Sequence, residues 1–284
     1  MADGVPSRSV IDLHSHLLPA IDDGPSRMKD SVEMARVAVE AGTTTMVCTP
    51  HILGRKPPTP EKIADGVDSL RAELARAEIS LDIVTGAEID QDALERLDDE
   101  TLRALTFGGN GTWLLLEMPF RRWPTDLGAI LDDLEVRGFR AVLAHPERAA
   151  AVQRQPDRLK EAVGRGALCQ LTTSSFTGDH GADAERTAEQ LLALGWAHLL
   201  ASDAHSATWR PPGLLQGLAA ASAHLGCGAG ELSWMVREGP ALVLAGEDAR
   251  PPRLSAARPE AAVGRRGRRV LRPGRSSPSN PRRR

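Results

Sequence analysis

The sequence contains no tyrosine, and its four Phe and five Trp make up only 3% of 284 residues, so aliphatic side chains must fill any core. Cysteine is nearly as scarce. Cys48, Cys169 and Cys227 form no even, closely spaced disulfide framework, as expected for a reduced, intracellular chain. No apolar run approaches the roughly 18 residues of a membrane span. The most apolar stretch, 191–201, is interrupted by His198. The opening MADGVPSRSVIDLH lacks the basic stretch and apolar run of a secretory signal, so a soluble, cytoplasmic protein is expected. Net charge is also small, at -3, but unevenly distributed. Residues 250–284 hold 12 Arg and a single acid, Glu260, leaving a body of about -14 joined to a tail of about +11. An acidic body argues against nucleic acid as the main ligand of the folded part.

What is present is a regular alternation. Short apolar runs at 10–13, 44–48, 81–84, 113–116, 141–143, 167–171 and 198–201 predict seven strands. Between them, helical periodicity appears near 27–41, 60–77, 91–105, 126–137, 156–165 and 183–194, with two further helices near 213–225 and 230–238. In the first of these, Ser26 is placed to cap the amino end, Met28, Val32, Ala35 and Val39 share a face, and Gly42 suits the carboxyl end. Strand–helix alternation predicts an α/β fold with a parallel sheet, either closed as a barrel or open and doubly wound. The tail, with six prolines and repeated Arg-Arg pairs, cannot bury enough apolar surface to offset its ordering entropy and is expected to be disordered. One folded domain over 1–249 and a basic tail over 250–284 follow.

Five of the eight histidines lie in polar clusters at predicted strand ends. In parallel α/β folds the carboxyl ends of the strands open on one face, where functional groups collect. His14-Ser-His16 puts two imidazoles on one side of a strand, followed by Asp22-Asp23-Gly24-Pro25, whose composition first suggests a turn. Thr49-Pro50-His51, Gly86-Ala-Glu88, Leu114-Leu-Leu-Glu117, His145-Pro-Glu-Arg148 and Ser202-Asp203-Ala-His205 close five more strands. The remaining strand runs into Thr172-Thr-Ser-Ser175. Each cluster alone has an ordinary structural explanation; six strands of seven ending in Asp, Glu or His do not. A nitrogen and oxygen set without cysteine suits Mn²⁺, Fe or Zn²⁺. Nine candidate ligands exceed the needs of one ion, and a multinuclear centre suits phosphoester hydrolysis. Arg148 and Arg210 offer guanidinium forks for phosphate oxygens, although a surface ion pair would explain either one equally well.

This ordered set of motifs, from about Val10 to Gly246, resembles the polymerase and histidinol phosphatase (PHP) superfamily. Within it, the match is to the manganese-dependent tyrosine-protein phosphatases of bacterial capsule and exopolysaccharide loci, the CpsB/CapC type. Gln170-Leu-Thr-Thr-Ser-Ser-Phe-Thr-Gly178 and Arg210-Pro-Pro212 fit the same subgroup. The resemblance implies a distorted (β/α)7 barrel with metal ligands at the carboxyl ends of its strands. It implies two or three divalent ions, Mn²⁺ first. His14, His16, Glu88 and Asp203 would hold one, and Glu88 would bridge to a second completed by Glu117 and His145. Asp23, His51 and His205 would hold a third, and Arg148 and Arg210 would bind phosphate. The implied substrate is phosphotyrosine on an autophosphorylated bacterial tyrosine kinase.

Two other functions are open at this point: a small-molecule phosphatase of the histidinol-phosphate type, and a non-catalytic metal-binding scaffold. The tail adds a possible contact with polyanions or anionic membranes. A cysteine-dependent mechanism is excluded, because it needs a Cys-x5-Arg loop and the residues six beyond the three cysteines are Gly54, Ser175 and Ser233.

Overall fold

The computed structural model describes residues 9–124 and 126–250; apart from Arg250, the expected tail lies outside them. Among the described residues nine short strands form two sheets: β1 (Ile11–Ser15), β2 (Thr45–Cys48), β3 (His51–Ile52), β4 (Asp82–Thr85), β5 (Glu88–Asp90), β6 (Trp113–Glu117), β7 (Arg140–Ala144), β8 (Leu168–Thr172) and β9 (Leu199–Ala201). One sheet runs β1-β2-β4 and the other β3-β5-β6-β7-β8-β9, with every strand pairing parallel, as the alternation predicts.

Two expected strands are each divided. The second breaks at Thr49-Pro50, where proline has no N–H to give a ladder. The third breaks at Gly86-Ala87, where the backbone passes so close to β2 that a Cβ on Gly86 would lie 2.7 Å from Val47 Cγ1. His51 and Glu88 therefore open short strands of their own. The two sheets touch at these breaks, where Glu88 N–H donates to the Pro50 carbonyl at 3.1 Å. At the other edges, β1 meets the segment following β9. Asp203 N–H donates to the His14 carbonyl and His16 N–H to the Ala204 carbonyl, both at 2.9 Å.

Both faces of the strands are buried, which explains their almost unbroken apolar sequences. Ile11, Leu13, Trp113, Leu115, Val142, Ala144 and Leu168 gather on one side with Phe107, Val243 and Ala249. Met46, Cys48, Leu114, Leu116, Leu143, Cys169 and Leu171 lie on the other, packed with residues of the helices. Those helices are α1 (Met28–Glu40), α2 (Pro60–Arg76), α3 (Gln91–Leu94), α4 (Asp99–Leu105), α5 (Leu127–Val136), α6 (Ala150–Arg154), α7 (Leu159–Gly164), α8 (Ala182–Ala193), α9 (Leu214–Leu225), α10 (Ala229–Leu232) and α11 (Glu238–Leu244). None of the described helices is long and apolar enough to cross a membrane.

Local departures from expectation have local causes. The cap of α1 is Arg27, one residue past Ser26 and without a side-chain cap bond, and Arg27 pairs with Asp30 across the first turn at 2.8 Å. The helix expected over 91–105 is two helices, since the Asp98 side chain accepts from Thr101 N–H and starts α4 afresh. The helix expected over 230–238 is α10 followed by a 3-10 turn, and α11, with Pro240 in its first turn, was not anticipated.

Candidate metal centre

The strand ends deliver the polar clusters to one place. In β1 the pairing with β2 slips between Asp12 and Ser15, where three residues of β1 advance against two of β2. The slip lies where the strand passes from its apolar residues to the polar run His14-Ser15-His16. Gly24 packs so tightly on His16 that a Cβ would sit 2.2 Å from the His16 carbonyl oxygen, which holds the Asp22-Asp23 turn over that histidine. His145, just past β7, and Asp203, just past β9, both have left-handed backbones, with φ of +33° and +51°. For non-glycine residues this strain costs of order 1–3 kcal/mol each, and it collects at functional sites.

Four donor atoms converge at the centre. His14 Nε2 and His16 Nε2 are 3.3 Å apart; Glu88 Oε2 lies 3.2 and 3.4 Å from them, and Asp203 Oδ1 3.5 and 3.4 Å. Atoms bonded to one ion at about 2.0–2.2 Å stand roughly 3.0–3.5 Å from one another, and these five separations have that length. Glu88 Oε2 also lies 3.1 Å from His51 Nδ1, yet this buried oxygen, with three imidazole nitrogens around it, has no hydrogen-bond partner. A buried carboxylate oxygen left so is costly unless a cation satisfies it.

The rest of the cluster extends from this centre. His145 Nε2 meets Glu88 Oε1 at 2.8 Å, while Glu117 approaches through His51 Nδ1 at 3.7 Å. On the other side Asp23 Oδ1 lies 3.3 Å from His205 Nε2, 3.6 Å from His51 Nε2 and 3.9 Å from His16 Nδ1. All nine predicted ligands thus come together, with a buried floor of His14, His16, Glu88, His145, Asp203 and His205 and a more open edge of His51, Glu117 and Asp23. Both predicted arginines belong here too. Arg148 Nη1 and Arg210 Nη2 donate to Asp203 Oδ2, and Arg210 Nη1 lies 3.1 Å from His205 Nε2. These are not surface pairs.

Electrostatics tie the groups together. Burial opposes charge on His14, but Glu88 and Asp203 outweigh it and raise its pKa. Burial likewise disfavours the ionised carboxyls of Glu88 and Asp203, but His14 and the other cations hold both well below the ordinary range. Burial, reinforced by Glu88, pushes Glu117 up to about 7, and burial with Arg148 nearby brings His145 down to about 4.

Several contributors escaped the sequence. Gln170 Oε1 faces His14 Nδ1 at 2.9 Å, which places the proton there and leaves Nε2 as the donor to the centre. Asp22 Oδ2 does the same for His16 Nδ1 at 2.7 Å. Buried Glu147 accepts from Thr172 N–H and Ser175 Oγ, which gives the Thr-Thr-Ser-Ser run a use: it anchors the loop carrying His145 and Arg148. His180 is held near a pKa of about 4 by burial and then by Arg148 and Arg210 beside it. Asp22, Glu147, Gln170 and the Thr-Ser run all stand in motifs noted in the sequence, but their partners become visible only in the fold; His180 carried no signal. Cys48 and Cys169 are buried, and burial pushes both thiols up to about 12, far from a nucleophilic thiolate.

The family model for capsular polysaccharide synthesis proteins, CpsB/CapC, matches residues 10–237, a span that carries every one of these residues. The chain belongs to the CpsB/CapC family. Among its relatives, the tyrosine-protein phosphatase YwqE of Bacillus subtilis is 34% identical over 202 residues, covering 71% of this chain and 79% of that one. The putative tyrosine-protein phosphatase CapC of Staphylococcus aureus is 31% identical over 206 residues, with the same coverage. A solved structure from work on YwqE of Bacillus subtilis and CpsB of Streptococcus pneumoniae, described as metal-dependent tyrosine phosphatases, superposes with a TM-score of 0.76 at 32% identity. It covers 84% of this CpsB/CapC chain and 95% of that one. An organophosphorus hydrolase from Deinococcus radiodurans shares the fold alone, with a TM-score of 0.54 at 15% identity.

Proposed function

We propose that the chain is a metal-dependent protein-tyrosine phosphatase that hydrolyses phosphotyrosine on an autophosphorylated bacterial tyrosine kinase, in control of capsule or exopolysaccharide synthesis. The observation that carries this is Asp203, whose Oδ1 completes the four-donor centre while Oδ2 receives Arg148 and Arg210. One carboxylate thus sets the anion-binding guanidinium groups beside the ion-binding groups, as a phosphate monoester requires.

His14, His16, Glu88 and Asp203 would hold one divalent ion. Glu117 and His145 would join Glu88 around a second, and Asp23, His51 and His205 would hold a third. Mn²⁺ is the first choice and Fe or Zn²⁺ the next, given hard carboxylate and imidazole donors without thiolate. When bound, such ions supply Lewis acidity and a nucleophilic water at neutral pH. The chain supplies the rest. Gln170 and Asp22 fix the tautomers of His14 and His16, and Arg148 and Arg210 grip and orient the phosphoryl oxygens. The contacts that join β1 to the end of β9 support a seven-stranded distorted barrel in which β2 with β3, and β4 with β5, each count as one strand. The folded unit would end at Ala249, with the twelve arginines of 250–284 a separate polyanion- or membrane-contacting segment and the whole protein cytoplasmic.

Metal analysis and hydrolysis of a phosphotyrosine peptide on one preparation test this function. EDTA should abolish turnover and Mn²⁺ restore it, iodoacetamide should spare it, and histidinol phosphate should be the poorer substrate. Turnover that survives complete chelation would remove the metal-dependent assignment.

A further inference from the structure

A chain with nine Phe and Trp residues has few to spend on its surface. Among the described residues, four large hydrophobic side chains are exposed: Leu53 at 48%, Phe120 at 40%, Val136 at 86% and Trp209 at 64%. Only Val136, at the end of α5, is remote in sequence from the metal-centre motifs. Leu53 follows His51 by two residues, and the two aromatics touch the centre itself.

Their placement is specific. His145, His14, His16 and His205 form a row with successive ring centroids 5.5, 5.3 and 4.0 Å apart. Phe120 stacks on His145 at one end of the row, 5.6 Å between centroids and 15° between planes. Trp209 lies on His205 at the other end, 5.8 Å away. Each aromatic also carries one of the two arginines: Arg148 Cζ lies 5.2 Å from the Phe120 ring centre and Arg210 Cζ 5.6 Å from that of Trp209. Both arginines turn from these rings to Asp203.

From this arrangement we infer that Phe120 and Trp209 are specificity-determining residues that receive the aryl ring of the substrate when its phosphate sits on Arg148 and Arg210. The inference rests on the phosphatase function proposed above and assigns to these two residues the preference for a phenol ester over an alkyl one. A phosphate gripped by the two guanidinium groups carries its ester substituent outward, past rings already packed against those groups. An aryl group there gains stacking and edge contacts with exposed apolar faces that an alkyl side chain cannot match. Each ring, partly exposed beside the charged centre, keeps apolar surface that a ligand can cover.

Binding of non-hydrolysable phosphonates tests this without turnover. Affinities of phenylphosphonate and methylphosphonate for the Mn²⁺-loaded full chain are measured by calorimetry, beside Phe120→Leu, Trp209→Leu and the double variant, with metal content checked in each. The unaltered chain should prefer phenylphosphonate, and each substitution should cut that preference roughly 2- to 10-fold. Leucine at these exposed positions keeps apolar bulk, and the single variants carry the test if the double variant does not fold. No preference in the unaltered chain, or a preference that survives both single substitutions, overturns the inference. A chain that prefers phenylphosphonate yet leaves phosphotyrosine peptide uncut would overturn the phosphatase function and keep the aryl site.

Discussion

At the carboxyl ends of the strands, His14, His16, Glu88, His145 and Asp203 are buried against one another; at the amino ends, Phe107, Trp113, Val243 and Ala249 are buried to the same depth. The apolar end is self-sufficient. Its rings and aliphatic groups lose water and gain contacts, and the indole of Trp113 still finds the Glu247 carbonyl at 2.8 Å. The polar end is not. Its charges are desolvated, its pairs are strained into left-handed backbone at two positions, and Glu88 Oε2 and His145 Nδ1 are left without hydrogen bonds. Equal burial therefore marks opposite dependence: one end holds the fold, the other is completed from outside.

Six substitutions at five positions would break or sharpen that contrast. The largest effect on function is expected at Glu88, which faces both His14 and His145. Glu88→Ala should lose bound metal and phosphotyrosine turnover together while still folding, as read by metal analysis beside a hydrolysis assay. At the other end, Trp113→Ala should cost about 3–5 kcal/mol of stability in a denaturant titration, with normal metal content in the fraction that stays folded. Next, Arg148→Ala and Arg210→Ala should keep their metal but lower kcat/KM roughly 10- to 150-fold, the worth of a charge-assisted bond of about 1.5–3 kcal/mol. Metal loss in either would show that the arginine serves mainly to position Asp203. The smallest change concerns one hydrogen bond. Gln170→Leu should weaken metal binding about 10- to 100-fold, and Gln170→Glu, which restores an acceptor to His14 Nδ1, should recover most of it.

The apolar runs and polar strand ends made the parallel α/β plan and the nine converging side chains legible, because each cue is local in sequence. What escaped is non-local. Pro50 and Gly86 divide two strands for reasons that lie in neighbouring strands. The slip in β1 depends on β2. The acceptor for His14, Gln170, stands 156 residues away, and nothing in its own motif names His14 as the partner. Phe120 and Trp209 read as ordinary apolar residues until their exposure is known. The helix expected over 91–105 is divided where the Asp98 side chain starts a second helix.

The bridge between β1 and the segment after β9 has a consequence in time. His14 and His16 leave the ribosome early, whereas Asp203 follows His14 by 189 residues. At 5–20 residues per second that is a delay of roughly 10–40 s. Throughout that interval the two histidines lack their fourth donor, and β1 lacks the backbone partner that Asp203 and Ala204 provide. On the ligand set proposed above, a complete ion site would first exist once the chain has grown past Asp203, and metal loading would then clasp β1 to the segment after β9. Nascent chains stalled before residue 203 should retain far less metal than the released protein.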